Sequence, residues 1–228
     1  LTYSEFVRDL NIWRLQLDSG RWTRVVSSTA ADTLPQLSPD GRKLCFNSDR
    51  SGASELWISD AAGGNAVQLT RGSRQPVMGR WSADSKSVVF NEATTQLLFQ
   101  ADVAGGLPRQ LGGPGQTGFH PMVSRDGQRA LFTGGLDQGL YEMPIALGGP
   151  PNVLARGIGF SKVLSEDSRF LYFADSRTEP LLSRLDLKTL ARRTLVRDLA
   201  AGYWGAWALA SNGIYYLRNT SAEGQGSE

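Results

Sequence analysis

Four aspartates recur along the chain and are the first residues whose types and spacing could do chemistry. Carboxylates in such a set could hold calcium or serve as a general acid and base. Each stands two residues after a serine and opens a polar turn. The four aspartates are Asp40, Asp84, Asp126 and Asp167.

The regular spacing of these aspartates argues against one shared site. The serines that open the turns, and a fifth serine in a related stretch, follow one another at intervals of 44, 42, 41 and 46 residues (Ser38, Ser82, Ser124, Ser165 and Ser211). Residues that recur once per structural repeat lie in different repeats and cannot converge on one substrate. An aspartate in a tight turn accepts hydrogen bonds from nearby backbone amides. We therefore interpret Ser-x-Asp as a structural turn.

Other reactive groups are few. His120 is the only histidine, so the chain alone cannot form a histidine-based metal cluster or proton relay. Cys45 is the only cysteine, and its place between Leu44 and Phe46 predicts a buried structural thiol. The sequence contains neither a G-x-S-x-G nucleophile elbow nor a G-x-x-x-x-G-K-[ST] phosphate loop. We expect no catalytic residues, no bound metal and no cofactor.

The composition restricts the classes of partner. The chain has 228 residues, and 40% of them are hydrophobic, which is enough for a substantial core. Its formal net charge of +2 is too small to attract nucleic acid or an anionic membrane. No long apolar run and no charged-then-apolar leader occurs. We expect this chain itself neither to contact nucleic acid nor to insert into a membrane, and we expect it to carry no signal peptide.

The repeat also predicts the strands that must position any site. A short run rich in Val, Phe, Leu and Tyr follows each turn, as in "KLCFNS", "SVVFNE" and "RALFTG", and a second such run ends in a glycine turn or its equivalent. Each period is therefore a four-stranded antiparallel meander, which is typical of an all-β β-propeller. The segment "LKTLARRTLVRDLAAG" has helix-like composition, but its phase in the repeat predicts a turn and a fourth strand.

This phase gives a single propeller domain over residues 1–218 and a polar tail over residues 219–228. The predicted blades are 1–28 (partial), 33–70, 75–111, 118–155, 159–197 and 204–218 (partial). Five to six blades are thus visible, and we expect them to be a fragment of a larger propeller. Open blade edges would allow closure, strand swapping or dimerisation.

The repeat has a known relative. The stretch "LSPDGRKLCFNSDRSGASELWISDAAGGNAVQLT" resembles the TolB-type propeller repeat, which is related to WD40-like repeats. The stretches "LTYSEFVRDLNIWRLQLDSG" and "AGYWGAWALASNGIYYL" resemble the C-terminal propeller of CadC-type bacterial transcriptional regulators. In those regulators a winged-helix DNA-binding domain, which this sequence lacks, precedes the propeller. The resemblance implies a sensor domain for signal transduction, periplasmic if the parent is a membrane-anchored regulator and otherwise cytoplasmic.

The turns of a meander alternate between two faces, and the longer, blade-specific loops share one of them. Variable loops on a rigid frame are where binding usually occurs. The loops leading into the first strands are predicted to ring the mouth of the central channel with Asp32, Arg74, Gln75, Phe119, His120, Phe160, Tyr203 and Trp204. Secondary candidates in the outer loops of this face are Asp49, Arg50, Arg177 and Glu179. The alternative is that the aromatic residues pack between blades and that the charges are solvated surface.

These observations leave three functions open. The first is a non-enzymatic module that binds a small molecule or a protein at the loop face and acts as the sensor of a transcriptional regulator. The second is a TolB-like protein-docking scaffold. The third is the non-catalytic gating propeller of a prolyl-oligopeptidase-like peptidase. The regulator-like ends of the chain favour the first.

Overall fold

The computed structural model describes residues 10–72, 75–113, 115–134, 139–146, 149–159, 161–174, 181–200, 207–210 and 213–217. Within these ranges every regular element is a β-strand, and the strands form four-stranded and two-stranded antiparallel sheets. The predicted all-β fold class is confirmed. The described residues include no helix that could span a membrane.

Across the described ranges, two hairpins and four complete sheets follow one another in chain order. The first hairpin pairs β1 (Ile12–Leu15) with β2 (Trp22–Val26). The first sheet comprises β3 (Asp32–Leu37), β4 (Lys43–Ser48), β5 (Glu55–Asp60) and β6 (Val67–Gln68). The second sheet comprises β7 (Pro76–Trp81), β8 (Ser87–Glu92), β9 (Leu98–Asp102) and β10 (Arg109–Gln110).

The third sheet comprises β11 (Phe119–Val123), β12 (Arg129–Gly134), β13 (Gly139–Pro144) and β14 (Asn152–Ala155). The fourth comprises β15 (Lys162–Leu164), β16 (Phe170–Ala174), β17 (Leu182–Asp186) and β18 (Arg192–Val196). The last hairpin pairs β19 (Trp207–Ala210) with β20 (Gly213–Tyr216). In every complete sheet each strand pairs with its neighbour in sequence, which is the order of a meander.

The chain divides into two compact units. The first consists of Leu1–Phe132 and Met143–Pro150, and the second of Thr133–Glu142 and Pro151–Glu228. The division passes through strands of the third sheet. The bounds of a single domain over residues 1–218 remain a prediction.

The segment with helix-like composition forms a strand, as its phase in the repeat predicts. Asp186 ends β17, and its carboxylate accepts hydrogen bonds from the backbone N–H groups of Lys188 (2.9 Å) and Thr189 (3.1 Å). These bonds close a turn, and β18 then pairs with β17. The turn and the pairing override the weak helical propensity of the segment.

The second strands of the first two sheets are buried on both faces. Cys45 and Phe46 are neighbours on β4 and point to opposite faces of the sheet, and both are buried. Val88 and Val89 on β8 are also both buried. One core cluster joins Cys45 of the first sheet to Val88 of the second. The two sheets therefore pack face to face within the first unit.

Gly79 on β7 allows the second sheet to approach the first closely. A Cβ atom at Gly79 would lie 2.9 Å from Val88 Cγ1, 3.1 Å from Cys45 Sγ and 3.1 Å from Leu56 Cδ2. These neighbours are core side chains with little room to move. Glycine is therefore required here by packing.

The Ser-x-Asp turn has the same hydrogen bonds in all four copies. In the second sheet, Ser82 Oγ donates to Asp84 Oδ1 (2.6 Å) and accepts from the N–H of Ser87 (2.9 Å), while Asp84 Oδ1 also accepts from the N–H of Lys86 (3.0 Å). Equivalent bonds form in the turns that begin at Ser38, Ser124 and Ser165. The interpretation of this motif as a structural turn is confirmed.

Neighbouring turns are also joined. The backbone N–H of Asp40 in the first sheet donates to Ser85 Oγ in the second sheet, at 3.2 Å. Ser85 has a φ of 60°, in the position that Gly41 and Gly127 occupy in their own turns, each with a φ of 71°. The serine that replaces the motif glycine thus accepts left-handed backbone geometry and gains a bond between two sheets.

These turns predict a loss of stability in acid. The serine hydroxyl first, and then a backbone N–H, lower the pKa of each turn aspartate below its ordinary value of 3.8. Because the folded-state pKa is depressed, the stabilisation is complete well above the ordinary value and is lost as the pH falls through it toward the folded-state pKa.

We therefore expect the thermal midpoint to fall between about pH 6 and about pH 2. A variant with all four turn aspartates changed to asparagine should show a smaller fall over this range. The control variant changes Asp18 and Asp60, which lie outside the Ser-x-Asp turns, to asparagine. Its thermal midpoint should depend on pH as that of the wild type does. Equal acid sensitivity in the wild type and the four-site variant would contradict the assignment.

Gly79→Ala should destabilise the protein. The added methyl group meets three core side chains, and overpacking of this kind costs about 1–3 kcal/mol of the free energy of unfolding. Urea denaturation measures the loss. Gly113→Ala is the matched control because a Cβ atom there would meet nothing within 4 Å. Equal stability of the two variants would show that β7 can move away from the first sheet.

Candidate binding site at the loop face

A buried ion pair lies at the loop face of the first sheet. Asp32 begins β3, and Arg50 lies in the loop between β4 and β5. Arg50 Nη2 is 2.6 Å from Asp32 Oδ1, and the Asp32 side chain is fully buried while that of Arg50 is 21% exposed. Ser28 Oγ donates to the second carboxylate oxygen at 2.9 Å. Both oxygens of Asp32 are thus occupied, so Asp32 supports the site and Arg50 is its accessible member.

Aromatic rings fix the orientation of Arg50. Its guanidinium carbon lies 4.9 Å from the ring centroid of Trp57 and 5.3 Å from that of Phe46. Its Nε donates to Ser48 Oγ at 2.9 Å. Cation–π stacking and the hydrogen bonds hold the planar group in one orientation. The partly exposed guanidinium can therefore donate to a carboxylate or a carbonyl oxygen with little loss of side-chain entropy.

Asp49 joins two adjacent loops of this face. Its carboxylate accepts a hydrogen bond from the backbone N–H of Ala31 at 2.8 Å. Ala31 belongs to the loop between β2 and β3, whereas Asp49 follows β4. Together with the Asp32–Arg50 pair, this bond holds the two loops to each other.

Phe119 and His120 lie on β11, although the sequence places them in a loop. Their ring centroids are 6.5 Å apart, and both residues are half-buried. His120 has a φ of 51°, a left-handed conformation that histidine adopts more readily than most residues. Leu34, four residues before its own turn serine as His120 is, has a φ of 52°. The equivalent first strands thus share a local kink that redirects side chains.

Gln75 immediately precedes β7 and is exposed. Its φ is 47°, and its carbonyl oxygen accepts a hydrogen bond from the N–H of Ala93 at 3.0 Å. The bond connects the loop before β7 to the loop between β8 and β9. Gln75 therefore lies on the same face as Arg50 by strand topology.

The predicted residues fall into three groups. Asp32, Asp49 and Arg50 form one cluster in the first sheet, Phe119 and His120 form a pair, and Gln75 lies in a separate loop. The remaining predicted residues, Arg74, Phe160, Tyr203, Trp204, Arg177 and Glu179, lie outside the described part of the chain. Across the described ranges, no group of three or more His, Cys, Asp or Glu side chains could hold a metal ion.

The sequence analysis did not identify the residues that support this face. Asn47 is buried, and its Nδ2 donates to the carbonyl oxygen of Pro76 at 2.6 Å, which ties the first sheet to the second. The ring of Trp57 stacks against the guanidinium of Arg50. The signal for Asn47 was present in the sequence, since it is an amide within an otherwise apolar strand, whereas nothing local indicated the role of Trp57.

Breaking the ion pair should be costly. Arg50→Ala leaves the buried Asp32 carboxylate without its counter-ion, which costs about 3 kcal/mol or more of the free energy of unfolding. Asp32→Ala and the double variant complete a double-mutant cycle by urea denaturation. The exposed pair of Arg169 with Asp186, at 3.4 Å, is the control and should show a much weaker coupling. A coupling no stronger than this control would show that Arg50 does not stabilise the loops.

Comparison with known proteins identifies the family. The model of the TolB beta propeller domain matches residues 4–146. Among curated relatives, Tricorn protease homolog 1 of Streptomyces coelicolor is 33% identical over 113 residues, covering 49% of this chain and 10% of the relative. The uncharacterized peptidase YuxL of Bacillus subtilis is 28% identical over 123 residues, covering 50% of this chain and 19% of the relative. The chain thus spans only a small part of these relatives.

Solved structures show the same fold. TolB from Acinetobacter baumannii superposes with a TM-score of 0.70 at 20% identity, covering 82% of this chain and 48% of that one. A prolyl endopeptidase structure superposes with a TM-score of 0.59 at 15% identity, covering 86% of this chain and 35% of that one. The predicted link to CadC-type regulators receives no support from these matches. Because the family model covers more than half of the sequence, the chain belongs to the TolB beta propeller domain family.

Proposed function

We propose that this chain is a non-catalytic propeller that binds polypeptide segments at its loop face and gates their access to a peptidase domain of the same protein. The observation that carries the proposal is that the two relatives reported above are both named as a protease or a peptidase, at 33% and 28% identity. The match covers only 10% and 19% of their lengths, which suits an accessory domain within a larger enzyme.

The geometry of the loop face supports this role. Hydrogen bonds from Ala31 to Asp49 and from Arg50 to Asp32 hold its loops together, and the bond from Asn47 to Pro76 joins the strands beneath them. Loops that are already held in place lose little conformational entropy when a polypeptide binds to them. The stacked guanidinium of Arg50 supplies donors for the carbonyl or carboxylate oxygens of a peptide.

The turn aspartates and the cysteine are engaged in structure, which supports a non-catalytic role. The turn aspartates accept bonds from their own turns. Burial raises the pKa of the Cys45 thiol to about 12, so that the thiolate form needed by a nucleophile is not populated at neutral pH.

A second candidate is a protein-docking scaffold like TolB. It is supported by the superposition on TolB from Acinetobacter baumannii, which covers 82% of this chain. A sensor role in a transcriptional regulator remains a prediction from the resemblance of the two ends of the chain.

Sequencing the gene on either side of this segment distinguishes the three candidate functions, because each predicts a different adjoining domain. A gating role predicts an adjoining hydrolase domain with a G-x-S-x-G nucleophile elbow and its acid and histidine partners. An adjoining winged-helix domain would contradict the proposal and favour the regulator. A frame with neither domain would favour the docking scaffold.

Peptide binding by the purified chain tests the proposed site directly. Retention of a mixed library of extended peptides should fall several-fold in Arg50→Lys, because lysine keeps the charge beside Asp32 but loses the planar fork and the stacking. Arg42→Lys, in a turn on the opposite face, is the matched control and should bind like the wild type. Unchanged retention in Arg50→Lys would exclude Arg50 from the binding surface.

A further inference from the structure

Arg80 is a half-buried arginine on β7 that the functions above do not use. Burial lowers the pKa of its guanidinium. Throughout the part of the chain that the structure describes, no hydrogen bond or salt bridge engages this guanidinium. A charged group withdrawn from water without a partner costs free energy.

The ionisable group that influences Arg80 cannot balance its charge. That group is Cys45, which is buried in the core between the first and second sheets. Because burial raises the pKa of its thiol to about 12, Cys45 is neutral at physiological pH. Among the described residues the positive charge of Arg80 therefore has no counter-ion.

Arg80 lies on a strand at the edge of its sheet and keeps part of its surface exposed. β7 is one of the two edge strands of the second sheet and lies beside β3 and β11, which are the first strands of their own sheets. In a propeller the first strands line the central channel. Two residues before the turn serine, where Arg80 stands in the second sheet, Gln36 and Met122 occupy the neighbouring first strands. At this position of the three strands Arg80 is thus the one charged residue, beside the polar Gln36 and the buried Met122.

We propose that Arg80 is an anion-binding residue of the channel and takes the carboxylate of a peptide, at its C-terminus or on an acidic side chain. The planar guanidinium fork matches a carboxylate in a bidentate geometry, and a bound carboxylate supplies the missing counter-ion. The peptide class rests on the proposed function, whereas anion binding by Arg80 does not.

The test follows the Arg80 Nε–Hε resonance by nuclear magnetic resonance, assigned by its loss in Arg80→Gln. Four probes are titrated: acetyl-trialanine with a free carboxylate, its C-terminal amide, the amide of acetyl-Ala-Asp-Ala, and sodium acetate. Either carboxylate peptide should bind at least about tenfold more tightly than the neutral amide, since a charge-assisted bond contributes that much or more. The preference should vanish in Arg80→Gln and persist in Arg42→Gln, which removes a charge from the opposite face.

The outcomes separate this inference from the proposed function. Equal binding of the charged and neutral peptides, or a preference that persists in Arg80→Gln, overturns the role of Arg80 and leaves peptide gating intact. Shifts at Arg80 with acetate but with none of the peptides overturn the peptide class and count against gating. No response to any probe overturns the anion site. A response to one carboxylate peptide alone supports the inference and identifies whether the terminal or the side-chain carboxylate is taken.

A stability measurement gives an independent readout. Arg80→Met removes an uncompensated charge from a half-buried site, so its thermal midpoint should rise by about 2 °C or more. An arginine with a structural partner would behave in the opposite way. A lower midpoint in Arg80→Met would overturn the inference that the guanidinium is held open for a ligand.

Discussion

Burial of the second strand on both of its faces is the constraint on which the other features of the first two sheets depend. Cys45 and Phe46, adjacent on β4, both lie in the core, as do Val88 and Val89 on β8. A sheet that is apolar on both faces is stable only when other layers cover both of them. The first unit meets this requirement by repeating one meander, so that the first and second sheets cover one face of each other, and Gly79 sets how closely these two sheets approach.

This use of the strand faces decides where binding can occur. Side chains that fill the space between sheets cannot also contact a ligand, which is why we propose recognition at the loops and at the inner edge of the first strands. At the loops, the buried carboxylate of Asp32 holds the guanidinium of Arg50, a hydrogen-bond donor, in place. At the inner edge, no residue in the described ranges gives Arg80 such support. The Asp32–Arg50 pair suits a binding surface that is fixed before the ligand arrives. Arg80 suits the proposed site in which the ligand itself supplies the counter-ion.

Features that arise within a few residues could be predicted from the sequence, and features that join distant segments could not. The turn at Ser82 and Asp84 uses bonds within its own residues, so its period revealed both the fold class and the strand order. The pairing of Asp32 with Arg50 depends on the path of two loops. Phe119 was expected in a loop but lies in β11, because Gly118 has no side chain and lets the strand begin against the ring of Phe132, which a Cβ atom would overlap. The sequence analysis did not single out Arg80, because the absence of a partner among the described residues becomes visible only in three dimensions.

Because the thiol of Cys45 is buried, a chemical label can be attached to a cysteine introduced elsewhere on the protein. Cys45 is the only cysteine of the chain, it is 1% exposed, and its raised pKa keeps it unreactive while the sheets remain packed. A cysteine introduced at an exposed position such as Gln75 would therefore accept a fluorophore or spin label alone, without prior removal of the native sulfur. Reagents reach the native thiol when the first and second sheets separate. Its rate of modification therefore measures how often that interface opens.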